Sequence, residues 1–327
     1  MQMRLLVTGG AGFIGSNFVH QILKTHPGYE ITVLDKLTYA GRKENLQDIW
    51  DKITFIQGDI TKKEDVEKST RGCDCIINFA AETHVDRSIL EAGTFVLTDV
   101  LGVYNLLDAA RKFNISKFVQ ISTDEVYGDI LAGSFKESDR LNPRNPYSAS
   151  KAGAELLCRA YFETYGLFVT VTRSSNNYGP NQHPEKLIPK TIIHALLNKP
   201  IPVYGTGKNI RDWLFVEDNC EAIDCVLEKG TSGEIYNVAG NRELENLHVV
   251  KTILKLADKP ESLITFVKDR LGHDLRYSIN AEKLRKIGWK PRTNFNVGIK
   301  KTLEWYRQNV EWWKPIIEKG QINFHDV

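Results

Sequence analysis

Tyr147 and Lys151 stand four residues apart in Asn145-Pro146-Tyr147-Ser148-Ala149-Ser150-Lys151, a stretch that predicts a helix, so both side chains share one face. An ammonium beside a phenol favours the phenolate and prepares it to take a proton from an alcohol. Taken alone, the same spacing also suits a plain exposed helix face, so the surrounding motifs decide between the two readings. Ser122-Thr123-Asp124-Glu125-Val126-Tyr127-Gly128 closes a predicted strand and puts a hydroxyl and two carboxyls at one sheet edge. Adjacent acids repel one another, and partial burial raises at least one pKa, which yields an acid and a base in one site. Helix N-capping by Asp124 is the competing reading.

A third motif points to a cofactor. Gly9-Gly10-Ala11-Gly12-Phe13-Ile14-Gly15 follows the first predicted strand and opens a predicted helix. Such a turn needs a residue free to take positive φ and another without a Cβ where a pyrophosphate approaches, and the helix N-terminus then faces the phosphates. Asp35 ends the second predicted strand twenty residues after Gly15, where a carboxylate meets a ribose 2′-hydroxyl. That carboxylate would repel a 2′-phosphate and favours NAD over NADP, with Lys36 next to it as the opposing charge. Gly58-Asp59-Ile60, after the third strand, is placed either at the adenine edge or as the cap of the following helix.

The elements that must position these groups alternate. Arg4–Thr8, Ile31–Leu34, Thr54–Gln57, Cys75–Phe79, Lys117–Ser122 and Phe168–Thr172 read as strands, with helices near 13–26, 44–49, 63–70, 94–113 and 146–165. This order predicts an α/β fold of the Rossmann type, a doubly wound parallel sheet with a smaller α/β substrate-binding lobe built from C-terminal segments. After Arg173 come loops rich in Asn, Gly and Pro, a helix near 187–198, a strand at Arg211–Val216, a helix near 217–229 and a strand at Glu234–Val238. An irregular stretch, 258–296, then precedes a Trp-rich helix near 296–313. The expected division is 1–173 with about 211–238 for the dinucleotide domain, and 174–210 with about 239–327 for the second, interwoven lobe.

The chain has 327 residues, 43 basic against 41 acidic, a formal charge of +2. That balance speaks against a nucleic-acid or membrane-surface binder. No apolar run approaches the ~18 residues of a membrane helix, and Met3–Val7 is too early and short for a signal peptide, so the expected location is cytoplasmic. Trp305, Trp312 and Trp313 at helical spacing read as packing, with an interfacial anchor as the alternative. Five cysteines, an odd number, predict no disulfide framework, and neither Cys73/Cys75 nor His84/Asp86 has the further ligands of a metal site.

With these motifs in hand the sequence resembles the extended short-chain dehydrogenase/reductases that act on nucleotide sugars, and within them the dTDP-glucose 4,6-dehydratase branch. The resemblance runs through nearly the whole chain: Leu37-Thr38-Tyr39-Ala40-Gly41, Ala80-Ala81-Glu82-Thr83-His84-Val85-Asp86-Arg87-Ser88, Thr123–Gly128, Tyr204-Gly205, Arg211-Asp212-Trp213 and Gly272-His273-Asp274. Epimerases of the same superfamily share the glycine loop and the Tyr–Lys pair but carry small hydroxyl or apolar residues where Asp124 and Glu125 stand.

The resemblance implies NAD held by Gly9, Gly12, Phe13, Ile14, Gly15, Asp35, Lys36, Asp59, Ile60, Ala80 and Thr98, with Tyr147 and Lys151. It implies a closed redox cycle in which Tyr147 takes the sugar 4-hydroxyl proton and NAD takes a hydride from C4 and returns it at C6. Glu125 would remove the C5 proton, Asp124 would protonate the leaving 6-hydroxyl, and Thr123 would bind the 4-oxygen. The substrate, dTDP-glucose, would meet Arg211 and Arg270, whose planar forks suit a diphosphate, and His84, Asn176, Lys190, Asn246 and His273. For Arg211 the alternative is pairing with Asp212 or Asp218, and for Lys190 simple solvation. The stretch Gly128–Tyr147 is shorter than in many bacterial relatives, which implies a more open cleft rim, and relatives that use UDP-glucose share much of the motif set. A homodimer through the helices near 94–113 and 146–165 is also implied.

Overall fold

The computed structural model describes residues 3–269 and 273–318. Seven strands make one sheet: β1 (Arg4–Thr8), β2 (Glu30–Asp35), β3 (Ile53–Gln57), β4 (Cys75–Asn78), β5 (Lys117–Thr123), β6 (Val169–Ser174) and, after three strands of smaller sheets, β10 (Ile235–Val238). Their order is β10-β6-β5-β4-β1-β2-β3 and every pairing is parallel. The chain reverses its direction of winding between β1 and β4, and ligands of such sheets bind outside the carboxyl ends there.

Near-continuous apolar runs explain the central strands, because helices cover both faces. In β1, Leu5 and Val7 point to one core and Leu6 to the other; in β4, Cys75 and Ile77 oppose Ile76 in the same way. The first face packs on the helices Phe13–Thr25 and Val216–Lys229 through Phe18, Val19, Ile22 and Ile223. The second packs on Gly102–Lys112 and Pro146–Tyr165 through Leu106, Leu107, Ala154 and Cys158.

Beyond β6 the chain builds a second core. β7 (Asn176–Tyr178), β9 (Ile210–Phe215) and β11 (Glu243–Glu245) form a three-stranded sheet, while β8 (Ile201–Tyr204) pairs with β12 (Ile264–Val267). Helices Leu187–Leu196, Asn246–Leu256 and Phe295–Gln308 close over it with Ile192, Val250, Ile253, Ile299 and Tyr306.

Several elements differ from expectation. The strand predicted at Arg211–Val216 pairs with β7 and β11 and stays out of the large sheet. The helix expected at 44–49 is a 3₁₀ turn, Lys43–Lys52, and the one expected at 94–113 is interrupted by a π-helical stretch, Val96–Leu101. The 258–296 stretch contains β12 and a short helix, Glu282–Lys286. The Trp-rich helix breaks at Asn309 into Phe295–Gln308 and Val310–Glu318, which folds Trp312 edge-on to Trp305 at 4.9 Å and buries Trp313. The three indoles thus pack on the protein. Among the described residues no helix is long and apolar enough to cross a membrane.

Candidate active site

Gly9, directly after β1, has φ +69°, and a Cβ there would lie 2.5 Å from the Ala80 nitrogen. A Cβ on Gly15 would lie 2.3 Å from the Gly9 carbonyl. Only glycine lets the turn close this tightly over the carboxyl ends of β1 and β4. The helix that follows starts at Phe13 with Gly12 as its N-cap, no capping side chain and no acid in its first turn. Its first N–H groups are therefore left to an anion.

Asp35 is buried at the end of β2 and accepts hydrogen bonds from the backbone N–H of Ala11 (2.9 Å) and of Leu37 (2.8 Å). Burial raises its pKa and these two bonds oppose the rise. Lys36, the opposing charge next to Asp35, is engaged elsewhere: its Nζ lies 2.8 Å from Asp59 Oδ2. The cradle, the open helix start and the acceptor at β2 together fit a dinucleotide carrying a free ribose 2′-hydroxyl.

Thr123 ends β5 and caps the turn Asp124–Tyr127 by accepting from the Glu125 N–H at 3.3 Å. Asp124 is therefore not the cap; its Oδ1 accepts from Thr123 Oγ1 at 3.3 Å and its Oδ2 is buried without a hydrogen-bond partner. Burial first, then the charges of Glu125 and Asp212, raise the Asp124 pKa far above the usual carboxylate range, against the pull of Arg211.

Tyr147 sits in the first turn of Pro146–Tyr165, whose N-cap Asn145 accepts from the Ser148 N–H at 2.8 Å. Its phenol lines the same cleft as Thr123, which opposes the rise of its pKa. Burial, and then Glu125 and Asp99, hold its pKa well above that of a free phenol. Lys151 follows one turn later on the same helix. Its buried ammonium donates to the Ile121 carbonyl at 2.7 Å and answers the charges of Asp99 and Glu155.

One cleft is lined by Gly9, Gly12, Phe13, Ile14, Gly15, Asp35, Lys36, Asp59, Ile60, Ala80 and Thr98 and continues to Thr123, Asp124, Glu125, Tyr147, Lys151 and Asn176. Residues at the carboxyl ends of β1, β2, β3, β4 and β5 converge there with Thr98, the Tyr147 helix and Asn176. Residues 6–302 match the family described as GDP-mannose 4,6-dehydratase. The chain belongs to this family. It is 51% identical to the low-salt glycan biosynthesis protein Agl12 of Haloferax volcanii over 93% of this chain and 98% of that protein. It is 48% identical to a dTDP-glucose 4,6-dehydratase of Streptomyces niveus, covering 96% of each. Its fold superposes with a TM-score of 0.94 on the dTDP-glucose 4,6-dehydratase DesIV of Streptomyces venezuelae, solved with NAD bound, at 47% identity, covering 96% of this chain and 100% of that one.

The remaining substrate candidates among the described residues, His84, Lys190, Arg211, Asn246 and His273, do not line this cleft. His84 caps the helix Val85–Leu90, accepting from the Arg87 N–H, with its Nε2 3.7 Å from Glu185 Oε2. Arg211 pairs with neither Asp212 nor Asp218; its Nη2 donates to the Asp274 carbonyl at 2.9 Å and its guanidinium lies 4.3 Å from the Tyr277 ring centroid. Asp212 instead accepts from the Asn241 and Arg242 N–H groups, and Asp218 from Thr293. Asn246 begins its helix with a backbone N–H to the Asn209 carbonyl and a buried, unbonded Oδ1. Asn209 in turn donates to the same Asp274 carbonyl as Arg211, so Arg211, Asn246 and the neighbour of His273 meet at one junction. His273 bonds Asp269, and Lys190 lies half-buried in Leu187–Leu196. Arg270, like Gly272, falls outside the described residues.

Sequence reasoning missed Asn177, Gln182, His183, Glu185 and Lys186, all of which line the cleft. Tyr39 Oη donates to Glu185 Oε1 at 3.0 Å, and Lys186 Nζ to the Thr83 carbonyl at 3.0 Å. Asn177 Oδ1, Gln182 Oε1 and both ring nitrogens of His183 are buried without a hydrogen bond. Burial lowers His183 to about 4, so its ring stays neutral. The Pro184-Glu185-Lys186 run, a polar pair immediately before a predicted helix, was the available signal.

Proposed function

We propose that this chain is a dTDP-glucose 4,6-dehydratase, an NAD-dependent hydro-lyase that forms dTDP-4-keto-6-deoxyglucose and water. The observation that carries the reading is the pair Asp124 and Glu125 beside Tyr147, in a cleft continuous with the dinucleotide cradle. NAD, when bound, supplies a positively charged ring beside the phenol and takes up the electron pair and hydrogen of sugar C4, which it returns at C6.

Tyr147, ionised in that field, takes the proton of the 4-hydroxyl, and Thr123, lining the same cleft, orients the 4-oxygen. The ketone at C4 makes the C5 proton acidic. Glu125 takes that proton as base. Asp124, held protonated by burial and by Glu125, delivers its proton to the 6-hydroxyl as water leaves. An epimerase needs no such acid and base, so the carboxyl pair argues for elimination.

Asn176 in the cleft and the junction of Arg211, Asn246 and Asp274 support a second lobe that grips the nucleotide diphosphate and is interwoven with the dinucleotide domain, with the Arg211 strand on the second-lobe side of the division. Exposed Leu97, Leu101 and Tyr104, with Leu156 and Tyr165 on the neighbouring helix, support a homodimer through these two helices. All five cysteines are free, in keeping with a cytoplasmic enzyme.

Mass spectrometry after incubation with dTDP-glucose and, separately, UDP-glucose tests the reading. Loss of one water from dTDP-glucose supports it; loss from UDP-glucose alone changes the base; loss from neither, with NAD bound, overturns it.

A further inference from the structure

Arg173 is not among the residues of the cleft, yet it is only 3% exposed and bonds directly to the turn that carries Asp124 and Glu125. It lies in β6 opposite Ser122 of β5 and Asn237 of β10, one residue before Ser174 of the cleft wall. Its guanidinium is engaged along two edges. On one, Nε lies 3.1 and 3.0 Å from the two Glu155 oxygens, and Nη2 donates to Oε2 at 2.5 Å. On the other, Nη1 donates to Tyr127 Oη at 2.6 Å and reaches the Glu137 carbonyl at 3.4 Å. Glu155, itself buried, stands two turns beyond Tyr147 on the same helix. Tyr127 closes the turn Asp124–Tyr127, two residues after Glu125.

The Tyr127 hydroxyl is held from two sides. It accepts from Arg173 and donates to Asn237 Oδ1 at 2.8 Å, while Asn237 Nδ2 donates to the Phe135 and Asn280 carbonyls at 3.1 Å each. The ring stacks on Phe135 at 5.0 Å, and the Arg173 guanidinium lies 4.5 Å from its centroid. At the other end of the turn Thr123 caps the Glu125 N–H. Beyond Tyr127 the chain leaves through Gly128 at φ +81°, where a Cβ would lie 2.5 Å from the Asn142 carbonyl. Asp124 and Glu125 are thus strung between two fixed points. A buried ion pair adds little net stability over an apolar pair of the same volume, whereas a guanidinium fork fixes direction. We propose that Arg173 is a positioning residue for the acid–base turn, its two-pronged grip on Glu155 and its bond to Tyr127 setting Asp124 and Glu125 against Tyr147.

This inference rests on the dehydratase reading, because it assigns Arg173 to the elimination and not to the oxidation. Tyr147 and Thr123 are placed by other means, Tyr147 by the Asn145 cap at the start of its helix and Thr123 by the end of β5. Losing the Tyr127 link frees the far end of the turn. Removal of the C5 proton and of the 6-hydroxyl then suffers, while oxidation at C4 keeps its geometry. A misplacement of about 1 Å at such groups costs on the order of 10²-fold.

Two variants test it. Tyr127→Phe removes one oxygen and keeps the ring on Phe135, and Arg173→Lys keeps the buried charge but cannot span Glu155 and Tyr127 together. With dTDP-glucose as substrate and NAD bound, each should lower water loss, followed by mass spectrometry, by about 10- to 100-fold. On rapid mixing, the absorbance of reduced nicotinamide should rise at the wild-type rate and persist longer, because the keto sugar waits for elimination. The double variant should lose no more than Arg173→Lys alone, since both changes break one link. A merely structural role would slow oxidation and elimination together, in assays run below the unfolding range of each variant. Equal loss of both phases, unchanged water loss in Tyr127→Phe, or losses that multiply in the double variant overturn the proposal. A wild type that removes no water overturns the functional reading and the proposal with it; an active wild type beside variants without the split overturns the proposal alone.

Discussion

Asn145 Nδ2 lies 3.4 Å from Glu125 Oε2 while Asn145 Oδ1 caps the helix that carries Tyr147 and Lys151. One side chain thus couples Glu125 on the β5 turn to the start of the Tyr147 helix. Asn145→Ala removes both functions and should cost about 1 kcal/mol of stability, the usual value of an N-cap, together with a fall in kcat. Asn145→Asp keeps the cap but sets a carboxylate beside Glu125. It should retain the wild-type Tm and still slow dehydration, a split that thermal unfolding and steady-state kinetics on the same preparations would reveal.

Glu125→Gln removes the base and leaves Tyr147, Thr123 and Lys151 in place. Loss of a positioned general base costs on the order of 10²–10⁴-fold. Water loss from dTDP-glucose, followed by mass spectrometry, should fall by that much, while the absorbance of reduced nicotinamide should still rise on mixing. Equal loss of both signals would mean that Glu125 serves the oxidation as well.

Asp124 sets a pH dependence whose sign follows from its raised pKa. The folded chain holds this proton above the pH at which the unfolded chain releases it, so the folded state binds more protons in that interval. Stability from this group is full below the unfolded carboxylate range, about pH 4, and is lost as pH rises toward the folded value. Asp124→Asn should therefore flatten the decline of Tm with rising pH and raise Tm at neutral pH, while dehydration falls at least as much as in Glu125→Gln. A Tm difference that does not change with pH would refute the assigned protonation.

The parts of this site that were legible in the sequence are those set by local chain geometry. Gly9 to Gly15 must follow a strand and open a helix, Asp35 must end the next strand, and Tyr147 and Lys151 share a helix face by spacing alone. Contacts that depend on tertiary closure were not legible. Asp99 accepting from Ser150, next to Lys151, depends on the π turn at Val96–Leu101 packing on the Tyr147 helix, which no periodicity in that stretch announces. Arg211 facing carbonyls of Asp274 and Leu275 rather than a neighbouring acid depends on strand β9 joining the small sheet. Glu185 and His183 were hidden in a loop of Asn, Gly and Pro whose composition says only that the chain turns.

Leu156, 64% exposed in the middle of Pro146–Tyr165, lies on a helix packed beside the stretch where Leu97 is 54% exposed. Apolar side chains this large, adjacent on two long helices, are costly in water, and a twofold axis would bury them against their own copies in a four-helix arrangement. Leu156→Glu introduces two like charges facing each other across that axis and buries both without partners. Sedimentation should find the wild type dimeric and the variant monomeric. Because the same helix carries Tyr147 and Lys151 on its inner face, the monomer should also bind NAD more weakly and unfold at lower temperature; a variant that stays dimeric would locate the interface elsewhere.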